Sequence, residues 1–208
     1  MSTWTETTLT TWGRSRFARS STTAPADEAG LREAIRESHA RGVITYGGGR
    51  CYGDASLDDG GQTILTSALN RIVSFDAETG NIVCESGVDF ASLLSRVLRD
   101  GYCFPVSAAT ASVTVGGAFA NDIHSKNHHR VGSFGDHTLW IDLMLASGEL
   151  VRASRTENAD IFHASLGGVG LTGTVMRVCC RLMPVPSNSA DAQYRPMANV
   201  DEMIDTID

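Results

Sequence analysis

A chain of 208 residues with 42% apolar side chains has enough material for a domain core, so disorder is not its default state. Its 17 basic and 24 acidic residues leave a net charge of −7 without any basic stripe, which argues against sequence-independent nucleic-acid binding. The cysteines, Cys51, Cys84, Cys103, Cys179 and Cys180, are odd in number and lack Cys-x-x-Cys spacing, so neither a disulfide framework nor a zinc knuckle is expected.

The pattern implies a reducing, cytoplasmic setting. No basic start leads into an apolar stretch at the N-terminus, and no window approaches the roughly 18 apolar residues of a membrane span. Along the chain, Pro25 or Asp27 opens a helix with Leu31, Ala34, Ile35 and Ser38 on one face, and Gly42 closes it. Val43 to Tyr46 reads as a buried strand running into the loop Gly-Gly-Gly-Arg-Cys-Tyr-Gly-Asp; Thr63 to Leu65 and Asn81 to Ser86 are further strands. Asp89 caps a helix with Phe90, Leu93, Leu94, Val97 and Leu98 on one side and Gly101 at its end. Cys103 to Val106 is expected as a short strand, and Leu139 to Ala146 with Leu150 to Ser154 as a hairpin. Asn158 is expected to cap a short helix. Beyond it, Thr172 to Pro184 alternates, with Met176, Val178, Cys180 and Leu182 facing one way and Arg177 and Arg181 the other. This mixture makes the fold α+β or α/β. Residues 184–196 look like a linker, and the amphipathic segment after it suggests a chain cut after its first domain.

Three stretches carry chemistry. Successive glycine N–H groups at 47–49 can turn inward as an anion nest, or simply form a mobile turn; Arg50 and Tyr52 add charge and a stacking face. Gly168, Gly170 and Gly173 spell a literal G-x-G-x-x-G, but a helix precedes it and a strand follows, the reverse of the dinucleotide fingerprint. It reads as a tight connection that approaches a ligand. Residues 115–137 hold four of the six histidines. His124 and His128 are four apart, without the glutamate of H-E-x-x-H, so a metal site is the lesser reading beside a pocket for a polar or anionic ligand.

In order and spacing, "GGGRCYGD", "PVSAATASVTVGGAFANDIHSKNHHRVGSFGDH" and "LGGVGLTGTVMR" resemble the flavin-binding half of the vanillyl-alcohol-oxidase (PCMH-type) flavoprotein superfamily, in particular its decaprenylphosphoryl-ribose 2′-epimerase oxidase-subunit branch. The resemblance covers most of residues 10–184, "TTWGR" near the start included. It implies an α+β fold of two α+β subdomains over residues 1–186, with 187–208 beginning a linker and a truncated substrate domain. It implies FAD held by Tyr46, Gly47, Gly48, Gly49, Arg50, Cys51, Tyr52, Gly53 and Asp54, by Ala109, by Thr114, Val115, Gly116 and Gly117, by Asn121, Asp122, Ile123 and His124, and by Val175. His124 and Lys126 would lie on the substrate side, and no metal is implied.

Arg50 stands where many members carry a flavin-linked histidine, so the FAD is expected to be non-covalent, with Cys51 the one conceivable substitute anchor. Cys51, Asn121 and Ser125 depart from the family's usual serine, cysteine and glycine. The implied reaction is hydride transfer from a sugar or polyol alcohol, lipid-linked in that branch, to the flavin. The base would come from sequence beyond residue 208, and a keto-sugar would pass to a partner reductase. An aldonolactone or alditol oxidase is the alternative within the class; a non-catalytic nucleotide- or metal-binding module is the alternative outside it.

Overall fold

The computed structural model describes residues 2–189 and 191–207. A four-stranded sheet comes first: β1 (Thr5–Thr10), β2 (Phe17–Thr23), β3 (Val43–Tyr46) and β4 (Gln62–Leu65), in the order β1-β2-β4-β3. β1 runs antiparallel to β2, whereas β4 runs parallel to both its neighbours. Bringing β2 and β3 alongside β4 in one direction requires a crossover, which α1 (Glu28–Arg36) supplies. The Asp27 carboxylate caps that helix by accepting the Gly30 N–H at 2.8 Å, and Leu31, Ala34 and Ile35 are its buried face. Ser38 lies beyond the helix end, and Gly42, at φ +89°, shapes the turn into β3.

The second sheet is antiparallel throughout. Its strands are β5 (Ile72–Asp76) and β6 (Asn81–Glu85), followed, after α2 (Phe90–Val97), a two-residue β7 (Tyr102–Cys103), α3 (Val115–Ala120) and α4 (His128–Val131), by β8 (Thr138–Met144) and β9 (Leu150–Ser154). Then come α5 (Ala159–Ser165), β10 (Thr174–Arg181), β11 (Met183–Pro184) and α6 (Val200–Ile207). The order is β5-β6-β10-β8-β9, and β7 pairs with β11 as a separate ladder. Two sheets, each with its own helices, give the expected α+β architecture of two subdomains.

The main core lies between the second sheet and its helices, around the fully buried Phe90, Phe119, Phe134 and Phe162. Phe104 joins Phe90 at 4.7 Å between ring centroids. A smaller core closes the seam between the sheets: Leu31, Ala34 and Ile35 of α1 and Ile64 of β4 pack with Met144 and Met176 of the second sheet. Beside it the hydroxyls of Thr45 and Thr174 share a hydrogen bond of 2.7 Å, tying β3 to β10.

Several details differ from expectation. Met176 does not share a face with Val178, Cys180 and Leu182. The β10–β8 register shifts between Val175 and Arg177, and the bulge turns Met176 into the seam while Val175 joins the main core. The short strand expected at Cys103–Val106 is confined to Tyr102–Cys103, since Pro105 has no N–H to continue a ladder. Asn158, at φ +47°, makes no side-chain cap; its amide donates instead to the Arg152 carbonyl at 2.7 Å. β1, β2 and β5 carry no expectation at all. Two carboxylates are buried with cationic partners: Asp142 accepts from Arg152 at 2.9 Å and Arg177 at 3.2 Å, and Glu85 from Arg71 at 2.6 Å.

Burial pushes the thiol of Cys84 up to about 12 and that of Cys179 up to about 11. A thiol pKa raised by folding contributes stability that is whole below the ordinary value of 9.0 and is lost as pH rises toward the folded value. Urea unfolding followed from about pH 8 to about pH 12 should show stability declining above 9.0, by up to about 4 kcal/mol from Cys84. Cys84→Val should make the decline shallower.

Candidate functional site

A cleft of about 380 Å³ opens at the seam, where Thr45, the 47–53 loop and Thr66 of the first sheet face Ser86, α3 and β10 of the second. Val113, Ala120, Ile123, Val169 and Val175 give it an apolar wall. A neighbouring cleft of about 360 Å³ is more polar, with Ser67, Asn70, Asp89, Ser92 and Ser112 in its lining. Gly47, Gly48, Arg50, Thr66 and Thr114 line both, so one elongated ligand can occupy the two.

The opening is made largely of main chain. A Cβ on Gly48 would run into the Ser112 carbonyl oxygen, and one on Gly116 would lie 2.6 Å from the Ser86 Cβ. Among the described residues nothing accepts the backbone N–H of Gly48, Gly49 or Arg50, which leaves a row of donors at the shared boundary. The start of α3 is different: Val115 and Gly116 already donate to Val88 and Ser86 carbonyls at 2.8 Å, and Gly117 to the Thr114 hydroxyl at 3.3 Å. The glycines of α3 therefore serve close approach, not anion capture. Arg50 donates from Nε to Ser112 Oγ at 3.0 Å, with its guanidinium 5.8 Å from the Trp12 ring centroid. Tyr52, 80% exposed, lines the cleft from its rim, and the Cys51 thiol donates to Asn121 Oδ1 at 3.9 Å.

The structure brings Gly47, Gly48, Gly49, Arg50, Cys51, Tyr52, Gly53, Thr114, Gly116, Gly117, Asn121, Ile123 and Val175 to the cleft. It places the others outside the lining. The Tyr46 hydroxyl donates to the Thr10 carbonyl at 2.5 Å, and burial raises its pKa. Asp54 pairs with Arg16 at 3.3 Å, Ala109 is exposed, and Val115 belongs to the core. Asp122, at φ +42°, accepts the Gly135 N–H at 2.9 Å. His124 and Lys126 are exposed on the segment after α3, and the His124 ring meets His128 edge-on at 5.5 Å. Among the described residues no group of three His, Cys, Asp or Glu side chains could hold a metal ion.

The G-x-G-x-x-G stretch joins α5 to β10 and brings Val169, Gly170 and Gly173 to the cleft. Val169 is held at φ +55°, a strained position for a β-branched residue, while its N–H donates to the Ala120 carbonyl at 2.8 Å.

Sequence reading missed Thr45, Ser56, Thr66, Ser86 and Val113 as lining residues. Thr66 and Ser86 directly follow β4 and β6, and a hydroxyl at the carboxyl end of an apolar strand was the signal available. Their hydroxyls, and that of Ser56, are buried without a hydrogen-bond partner among the described residues. Unpaired hydroxyls, open N–H groups and an apolar wall fit a ligand that combines a flat apolar body with acceptor oxygens.

The main-chain contacts make the loop unequal to substitution. Gly48→Ala should destabilise the protein by about 1–3 kcal/mol in urea unfolding, whereas Gly53→Ala, with nothing within 4 Å of its Cβ, should stay within about 0.5 kcal/mol.

The family model described as FAD binding domain matches residues 21–154. The chain is 37% identical over 197 residues to decaprenylphosphoryl-beta-D-ribose oxidase of Mycolicibacterium smegmatis, spanning 93% of this chain and 43% of that protein. L-gulonolactone oxidase of Mus musculus is 26% identical over 162 residues, 77% of this chain and 36% of its own length. Cytokinin dehydrogenase 7 of Oryza sativa subsp. japonica is 29% identical over 171 residues, 78% and 32% respectively. The chain thus spans less than half the length of these relatives. No helix among the described residues is long and apolar enough to cross a membrane. With the cleft falling between two α+β units and the family model covering more than half of the sequence, the chain belongs to the FAD binding domain family, and FAD is its cofactor.

Proposed function

We propose that this chain is the flavin-holding part of an oxidoreductase that removes hydride from a CH–OH carbon of a sugar, and that the seam cleft is where its FAD lies. The observation that carries this is the combination, at one boundary, of the open N–H groups of Gly48, Gly49 and Arg50 with the apolar wall beyond them. Residues 1–186 form the FAD domain and 187–208 lead toward a substrate domain. The loop from Gly47 to Gly53 and the α3 glycines hold the cofactor, joined by Asn121, Ile123 and Val175. Tyr46, Asp54, Val115, Asp122 and Ala109 act from behind or beside that lining. When bound, FAD supplies the hydride acceptor.

The substrate we favour is a polyprenyl-phosphate pentose oxidised at its 2-hydroxyl, because the Mycolicibacterium relative named for such a substrate aligns along 93% of the chain. His124 and Lys126 lie exposed beyond Ile123, where they can hold the sugar or its phosphate. The proton of the reacting hydroxyl goes to a base contributed by sequence beyond residue 208, and the keto-sugar passes to a separate reductase. The free thiols suit a cytoplasmic setting. An aldonolactone oxidase is the second reading, supported by the similarity to L-gulonolactone oxidase; it would consume oxygen with a lactone substrate.

Adding FAD to the purified protein should raise its melting temperature and give a flavin absorbance that travels with the protein. Acid precipitation should leave the flavin in the supernatant, because Arg50 offers no histidyl link. Flavin that stays with the pellet, and is freed by Cys51→Ala, would contradict the non-covalent reading. Absence of both shift and colour would contradict the site itself.

A further inference from the structure

We propose that Thr66 and Ser86 are cofactor-binding residues whose buried hydroxyls, unpaired among the described residues, hydrogen-bond to FAD. This inference rests on the placement of FAD in the seam cleft and goes beyond the glycine segments that placement invokes. Thr66 is 3% exposed and Ser86 1%, and neither side-chain oxygen has a partner among the described residues. Both residues nevertheless line the cleft. A buried hydroxyl left unbonded opposes folding, so such groups ordinarily have a partner; of the five among the described residues, three, those of Ser56, Thr66 and Ser86, line this one cleft, which points to a partner that comes from outside the chain.

Their positions separate their roles. Thr66 lines both clefts together with Gly48 and Arg50, so a ligand occupying both crosses beside it. The Gly48 and Arg50 N–H groups, the Arg50 guanidinium and the Thr66 hydroxyl can all donate there. Phosphate oxygens only accept, so Thr66 serves the pyrophosphate. Ser86 lines only the larger, apolar cleft, and its carbonyl is already fixed by the Gly116 N–H at 2.8 Å. A Cβ at Gly116 would lie 2.6 Å from the Ser86 Cβ, so the glycine is what leaves the Ser86 side chain its place at the cleft, and its hydroxyl serves an acceptor on the flavin.

The test is FAD titration of wild type, Thr66→Val, Thr66→Ser and Ser86→Ala, with the melting temperature of each apoprotein and the absorbance spectrum of each complex. Thr66→Val and Ser86→Ala should each weaken FAD about three- to tenfold, the range for one neutral hydrogen bond. Neither apoprotein should melt lower than wild type, since only an unpaired hydroxyl is removed. Thr66→Ser should bind as wild type, and Ser86→Ala alone should shift the flavin band. Variants that bind FAD as tightly as wild type would overturn the inference and leave the cleft assignment standing. Apoproteins that melt lower, in proportion to lost affinity, would overturn it in favour of a structural role. A wild-type protein that does not bind FAD would instead sink the cleft assignment on which it rests.

Discussion

The structure depends on how closely its backbones approach at the seam. The loop leaving β3 passes Ser112 and Thr114 so tightly that a Cβ at Gly48 meets a carbonyl, and one at Gly47 would lie 2.6 Å from the Thr114 hydroxyl. α3 repeats the arrangement against Ser86. A wall built this way presents peptide groups in place of side chains, and peptide groups cannot change rotamer. The donors at the cleft boundary are therefore fixed before any ligand arrives, which lowers the ordering cost of binding.

What holds the two sheets at this separation is apolar. α1 drives Leu31 and Ile35 between Ile64 of one sheet and Met144 and Met176 of the other, and the bulge in β10 is what turns Met176 to that side. Methionine, unbranched and adaptable, suits a seam between two surfaces that twist independently. Thr45 and Thr174 close the edge of the seam next to the cleft. Asp142 and Arg177 face each other across β8 and β10, so a half-buried ion pair links the strands that carry the seam. Residues 21–154, which the FAD binding domain model matches, contain both the glycine loop and the α3 turn.

Much of this was legible in the residues. α1 and α2 were visible because an aspartate precedes each apolar stripe and caps it in the structure. β1 and β2 were not, because their inward positions, among them Ser20 and Thr22, are filled by small hydroxyl residues that leave no apolar alternation to read. Met176 was assigned to the wrong face because a bulge shifts strand parity without leaving a mark in the sequence. Of the site, the glycine segments were readable from their motifs. Thr66 and Ser86 were not: each is a single hydroxyl whose meaning comes from the strand end it follows and the backbone opposite.

The proposal that FAD lies along the seam is tested most directly by amide hydrogen exchange with and without FAD. Slowed exchange is expected in three separated segments, residues 47–53, 114–124 and 169–175, with the largest change at Gly48, Gly49 and Arg50, whose N–H groups have no acceptor among the described residues. Protection confined to other segments, with these three unchanged, would contradict it.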